Sequence, residues 1–194
     1  MPKRCFTFLF LLTLLTAAAL PAAADYDPEV DYMERMIVAA QCGDTEAGRE
    51  AQARRDEKIA ALGIALPSVS YDELDLLSRL VYSEAGSGWL DEHWKMAVGE
   101  VVLNRMASPE FPDTMPEVIG QRGQYSHAVN YVLPNHESVI AAKKLLEGQR
   151  VLENPAVVFQ SNERLGSGVF LELKDEYLGS TYLCYSSHME LYEG

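Results

Sequence analysis

Glu84 is the residue whose neighbours in the sequence best suit acid–base chemistry. The segment from Tyr71 to Ala85 carries Leu77, Leu80, Val81 and Glu84 at spacings of three and four, so a carboxylate continues an apolar helical stripe. Partial burial disfavours the charged form of a carboxylate, and the negative end of the helix dipole at the last turn acts in the same direction. Both effects favour a carboxylic acid that keeps its proton at mildly acidic or neutral pH. Such a group can protonate the leaving oxygen of a glycosidic bond. A glutamate fraying into solvent at a helix end would occupy the same position, and environment alone does not separate the two.

A hydrolase of the two-carboxylate kind needs a partner about 5–5.5 Å away as nucleophile or about 6.5–9.5 Å away as base. Glu100, Glu110 and Asp113 are the candidates. Glu100 is expected to face solvent, and Asp113 is expected to cap the short helix that follows it. Gln124, Tyr125 and Ser126 offer an aromatic face for a sugar ring and amide and hydroxyl groups for its hydroxyls, and Phe159, Gln160 and Asn162 offer the same set. The alternative places Tyr125 and Phe159 in the core, with the polar groups serving loop backbone; pockets combine apolar walls with few polar groups, so both remain open. The histidines at 93, 127, 136 and 188 lack the i, i+4 pairing of a helical zinc site, and no G-x-S-x-G elbow occurs. Gly166-Ser-Gly168 reads as a turn. No metal or cofactor is expected.

The elements that must position these groups follow from periodicity. Residues 28–40 and 45–62 form two helices around Cys42-Gly43-Asp44, a stop followed by a cap, and the polar second helix reads as a solvated face. Ser70 and Glu73 have the spacing of a capping box, which starts the Glu84 helix at Tyr71 and runs it to Gly86. A helix from Asp91 to Ala107 is apolar nearly all round, the mark of a buried central element, and Ser108-Pro109 ends it. Residues 109–134 read as a long loop with a short helix at Met115–Ile119, and Ser138–Leu146 as an amphipathic helix. Short β-type runs at Ala156–Gln160, Val169–Leu173 and Thr181–Tyr185 predict a three-stranded antiparallel sheet. The expected class is α+β, helix-dominated.

Lys3 and Arg4, an uncharged apolar run from Phe6 to Leu20 and then Ala22-Ala23-Ala24 have the pattern of a removable secretory signal over residues 1–24. The apolar run is short for a span of roughly 20 residues, so no stable membrane span is expected once the signal is gone. The net charge of −13, more negative still without the leader, excludes a nucleic-acid footprint and implies long-range repulsion from anionic wall polymers. Binding to any anionic polymer must then come from a local cleft. Cys42 and Cys184 either form one disulfide or remain two thiols; spacing does not choose between them.

Three stretches in order, Leu80-Val-Tyr-Ser-Glu-Ala-Gly-Ser-Gly88, Val98-Gly-Glu-Val-Val-Leu-Asn-Arg105 and Gly123-Gln-Tyr-Ser126, with a later Phe159-Gln-Ser-Asn162, resemble the SleB-type family of cell-wall hydrolases, which includes the spore cortex-lytic enzymes. The resemblance covers roughly residues 70–187. It implies a compact lysozyme-like domain with a cleft, Glu84 as the catalytic acid of the Y-x-E-A motif, and lytic transglycosylase action between N-acetylmuramic acid and N-acetylglucosamine. It also implies peptidoglycan as the partner and a secreted, wall- or spore-associated protein. The family's Glu-Ala-Arg-Gly-Glu is Glu84-Ala-Gly-Ser-Gly88 here, without the second acid. The expected organisation is a leader (1–24), a helical hairpin (25–66) and a catalytic domain (67–194). The rival expectation is a non-catalytic wall-binding or spore structural protein on the same fold.

Overall fold

The computed structural model describes residues 28–192, with side chains from Asp31 onward; the expected leader lies outside the described residues. Six helices come first: α1 (Pro28–Cys42), α2 (Thr45–Leu62), α3 (Tyr71–Ala85), α4 (Glu92–Ala107), α5 (Met115–Ile119) and α6 (His136–Leu146). Three strands follow: β1 (Val157–Ser161), β2 (Val169–Asp175) and β3 (Gly179–Tyr185). They form one antiparallel sheet in the order β1-β3-β2, with an irregularity between Val157 and Phe159. The α+β, helix-dominated class expected from the sequence is the class observed. One continuous core runs from Met33 and Met36 through Leu77, Leu80, Val98 and Val101 to Leu183.

Local chemistry explains most of the boundaries. Asp44 caps α2 by accepting from the Ala47 amide at 3.1 Å, and Asp91 caps α4 by accepting from the Trp94 amide at 2.8 Å. α3 does start at Tyr71, but not by the expected capping box, since the Ser70 side chain makes no capping bond. Instead the Tyr71 amide donates to Oε1 of Gln52 on α2 at 2.7 Å. α2 is therefore not simply a solvated face: Arg49 pairs with Asp72 at 2.9 Å, and the Tyr71 hydroxyl donates to the Asp44 carbonyl at 3.3 Å. Gly48 makes this docking feasible, because a Cβ there would lie 2.0 Å from the Tyr71 ring. Cys42 is exposed and Cys184 buried, and both are free thiols.

α4 is central, as expected, yet it buries four polar residues beside its apolar ones: Lys95, Glu100, Asn104 and Arg105. Each is matched to backbone, as burial requires. Lys95 Nζ donates to the carbonyls of Ser87 (3.2 Å) and Leu90 (2.5 Å). Glu100, expected in solvent, is 1 % exposed; its Oε2 accepts from the amides of Val151 (2.6 Å) and Leu152 (3.0 Å). Asn104 donates to the carbonyls of Asn154 and Val157, each at 3.0 Å. Arg105 Nε donates to the Val158 carbonyl at 2.6 Å. The helix thus fixes the loop ahead of it, the turn before β1 and β1 itself.

Candidate active site

Leu77, Leu80 and Val81 are wholly buried, and Glu84 leaves the core half-buried in the last turn of α3. The helix continues to Ala85, so Glu84 is not on a frayed end. Its Oε1 accepts from the Ser83 hydroxyl at 3.3 Å. Two devices hold this helix end. A Cβ at Gly86 would lie 2.2 Å from the Tyr82 carbonyl oxygen, so the turn out of the helix admits only glycine without a shift. Asn135 Nδ2 donates to the Gly86 carbonyl at 3.1 Å while its Oδ1 accepts from the Ser138 amide at 3.0 Å, joining the end of α3 to the start of α6.

A cation wrapped in aromatics forms the neighbouring wall. The Arg105 guanidinium carbon lies 5.0 Å from the Phe111 ring, 5.2 Å from Tyr125 and 5.9 Å from Phe159, within cation–π range of all three. Phe111 and Phe159 also meet edge to face with centroids 6.4 Å apart. Burial lowers the Arg105 pKa, with the Tyr125 charge opposing that shift. Burial likewise pushes the Tyr125 phenol up to about 12; the Arg105 cation counteracts this and the Glu84 carboxylate adds to it. Tyr125 stays a neutral phenol at any physiological pH.

The Tyr125 hydroxyl, Arg105 Nη1 and Gln160 Oε1 are buried and make no hydrogen bond to any described residue. A cavity of about 430 Å³ opens beside Tyr125 and Ser126 and is lined by Gln121, Arg122 and Leu76 among others. A larger one, about 610 Å³, lies between α1 and α2, and Glu84 lines neither of the two.

The structure brings Tyr125 and Phe159 together around Arg105, with Gln160 next in β1. Gln124, Ser126 and Asn162 sit exposed on loops. The Ser126 hydroxyl accepts from the Ala128 amide at 3.1 Å, capping a short 3-10 turn. The other carboxylates are engaged elsewhere or exposed. Glu110 accepts from the hydroxyls of Tyr192 (2.8 Å) and Ser186. Asp113 is exposed and does not cap α5, whose N-cap position is Thr114. Arg105 and Phe111 were not singled out from the sequence as site residues. The available signal was a set of charged and amide side chains inside an otherwise apolar helix. Among the described residues no three His, Cys, Asp or Glu side chains converge to hold a metal ion.

The raised phenols make a prediction about alkaline stability. Tyr71, wholly buried, is also raised to about 12, chiefly by burial. In the unfolded chain both phenols ionise near 10, so the native state binds more protons between about 10 and 12 and loses stability as pH rises through that window. By pH 11 the loss should be roughly 1 kcal/mol per phenol, about half of what the full window holds. Urea midpoints at pH 9 and pH 11 should differ accordingly, and Tyr71→Phe with Tyr125→Phe should shrink the difference. An unchanged difference in the double variant would refute this origin.

Residues 91–173 match the model of a family described as cell wall hydrolase. The match covers less than half of the chain and takes in Arg105, Phe111, Tyr125 and Phe159; it begins beyond Glu84. No curated protein matches. Among solved structures the chain is similar to the catalytic domain of the Bacillus cereus SleB protein, with a TM-score of 0.46 and 22 % identity, over 61 % of this chain and 94 % of that one.

Proposed function

We propose that this chain, whose residues 91–173 match a cell wall hydrolase family, cleaves the glycan strands of peptidoglycan as a lytic transglycosylase of the SleB type with Glu84 as general acid and base. The observation that carries this reading is Glu84, half-buried in the last turn of α3 at the end of the wholly buried stripe of Leu77, Leu80 and Val81. In the reaction, Glu84 gives its proton to the glycosidic oxygen between N-acetylmuramic acid and N-acetylglucosamine as that bond breaks. The C6 hydroxyl of the muramic ring attacks its own anomeric carbon, closing a 1,6-anhydro bridge, and its proton returns to Glu84. No water is consumed and no second carboxylate is needed. This suits a chain in which Glu100 and Glu110 accept other hydrogen bonds.

Tyr125 and Phe159 supply the apolar wall. Gln124, Ser126, Gln160 and Asn162 are the candidate partners for sugar hydroxyls. The acidic chain would engage an anionic wall through local contacts of these residues, not through bulk charge. With the leader pattern of residues 1–24, the proposal places the protein outside the cell, at the wall or the spore. Among the described residues no helix is long and apolar enough to cross a membrane. A second reading, a non-catalytic wall-binding or spore structural protein, is favoured by one observation: the family match starts at Asp91, past the acid.

Mass spectrometry of material released from purified peptidoglycan tests the reading. Muropeptides should end in 1,6-anhydromuramic acid, one water lighter than hydrolytic products. Reducing muramic ends without anhydro ends would overturn the intramolecular step. Binding with no release would favour the second reading.

A further inference from the structure

Two aromatic side chains stand in solvent outside the Arg105 cluster. Trp89 is 63 % exposed and Tyr177 is 77 % exposed, and their rings meet edge to face with centroids 6.0 Å apart. Trp89 lies in the loop between α3 and α4, and Tyr177 in the turn joining β2 to β3, so the pair bridges the helical and sheet parts of the molecule. An exposed Trp–Tyr pair beside Leu178, itself 53 % exposed, leaves large apolar faces in water. Such exposure ordinarily marks a binding surface.

Both rings are carried on anchored backbone. The Trp89 loop is held from beneath by buried Lys95, whose ammonium binds the carbonyls on either side of it, Ser87 and Leu90. The Tyr177 turn is held by Asp175, whose Oδ1 accepts from the amides of Tyr177 and Leu178, each at 2.9 Å. Two such loops limit the ordering that binding would require.

We propose that Trp89 and Tyr177 form an outlying subsite that stacks on the sugar rings of a glycan strand whose scissile bond lies at Glu84. The inference rests on the glycan-cleaving reading and extends it to a longer stretch of substrate. Continuity supports it: Trp89 follows Glu84 by five residues, which bounds their Cα separation to about 18 Å by chain length alone, the reach of a few sugar units. Charge supports it as well. A protein with net charge −13 gains little from bulk attraction to an anionic wall, whereas the C–H faces of pyranose rings bind flat aromatic surfaces without charge.

The test uses the full chain carrying Glu84→Gln, so that binding is read without turnover. Retention on insoluble peptidoglycan at high salt, and the affinity for N-acetylglucosamine hexasaccharide, should each fall roughly tenfold in Trp89→Ala and in Tyr177→Ala, the usual size for truncating an aromatic anchor. Trp89→Phe should retain most of the binding and Trp89→Leu should not, which separates stacking from mere apolar bulk. The chain has two tryptophans and Trp94 is buried, so the hexasaccharide should change the fluorescence of Trp89 and the change should vanish in Trp89→Phe. Equal binding by all these variants would remove the subsite while leaving the role of Glu84 untouched. Anhydro products absent from the unmutated chain, with the hexasaccharide response intact, would instead remove the transglycosylase reading and keep the subsite. Binding of the pair to phosphatidylcholine vesicles, and not to glycan, would overturn the proposal in favour of a lipid surface.

Discussion

Glu84→Gln is expected to keep the fold and to lower lysis of purified peptidoglycan by about 10²–10⁴-fold, the usual size of a general acid–base contribution. Gln is nearly isosteric and can still accept from the Ser83 hydroxyl, so the helix end retains its local hydrogen bond. It cannot give a carboxylic proton to the leaving oxygen. The wall around Arg105 should keep its packing, because the guanidinium gathers Phe111, Tyr125 and Phe159. Turbidity loss of a peptidoglycan suspension measures the effect, and thermal unfolding checks the fold. A folded variant that clears the suspension at close to the normal rate would sink the assignment of Glu84.

Glu100→Ala should act through stability. Its carboxylate is the shared acceptor for two amides, Val151 and Leu152, at a buried site 1 % exposed. Truncation leaves both amides without that partner at a cost of roughly 2–6 kcal/mol, since each buried unsatisfied donor loses about 1–3 kcal/mol. Glu100→Gln keeps an acceptor oxygen and should cost clearly less. Chemical denaturation gives the size, and lysis per folded molecule gives the discrimination. If Glu100 were the second carboxylate of a hydrolytic mechanism, Glu100→Gln would instead abolish lysis per folded molecule, whereas a structural Glu100 leaves it near normal.

The element boundaries were legible because they rest on local chemistry. Asp44, Asp91, Gly63 and Pro109 act within a turn or two of chain, and the helices and strands appear close to where periodicity places them. Partners far apart in sequence were not legible. Ser70 has the right spacing for a capping box, yet Gln52 on α2 supplies the acceptor for the Tyr71 amide. Glu100 looks like one polar position on a helix; its partners are some fifty residues away. The thiols of Cys42 and Cys184 posed the same difficulty, settled only when the fold left one exposed and the other buried. At the candidate site, a single helical stripe is what singles out Glu84 in the sequence. The clustering of Tyr125 and Phe159 needed Arg105, which gathers them from loop and strand.

Asn104 and Arg105 attach β1 to α4 across about fifty residues of sequence, through the carbonyls of Asn154, Val157 and Val158. The strand that carries Phe159 is thus fastened by the helix that carries the cation. Detaching β1 removes the sheet's anchorage, strips three hydrogen bonds from buried groups and takes one face off the aromatic wall in a single event. Such coupling leaves little room for a partly open chain that still cuts glycan. Loss of lytic activity on heating should follow the loss of tertiary structure at the same temperature, with no inactive but folded stage between them.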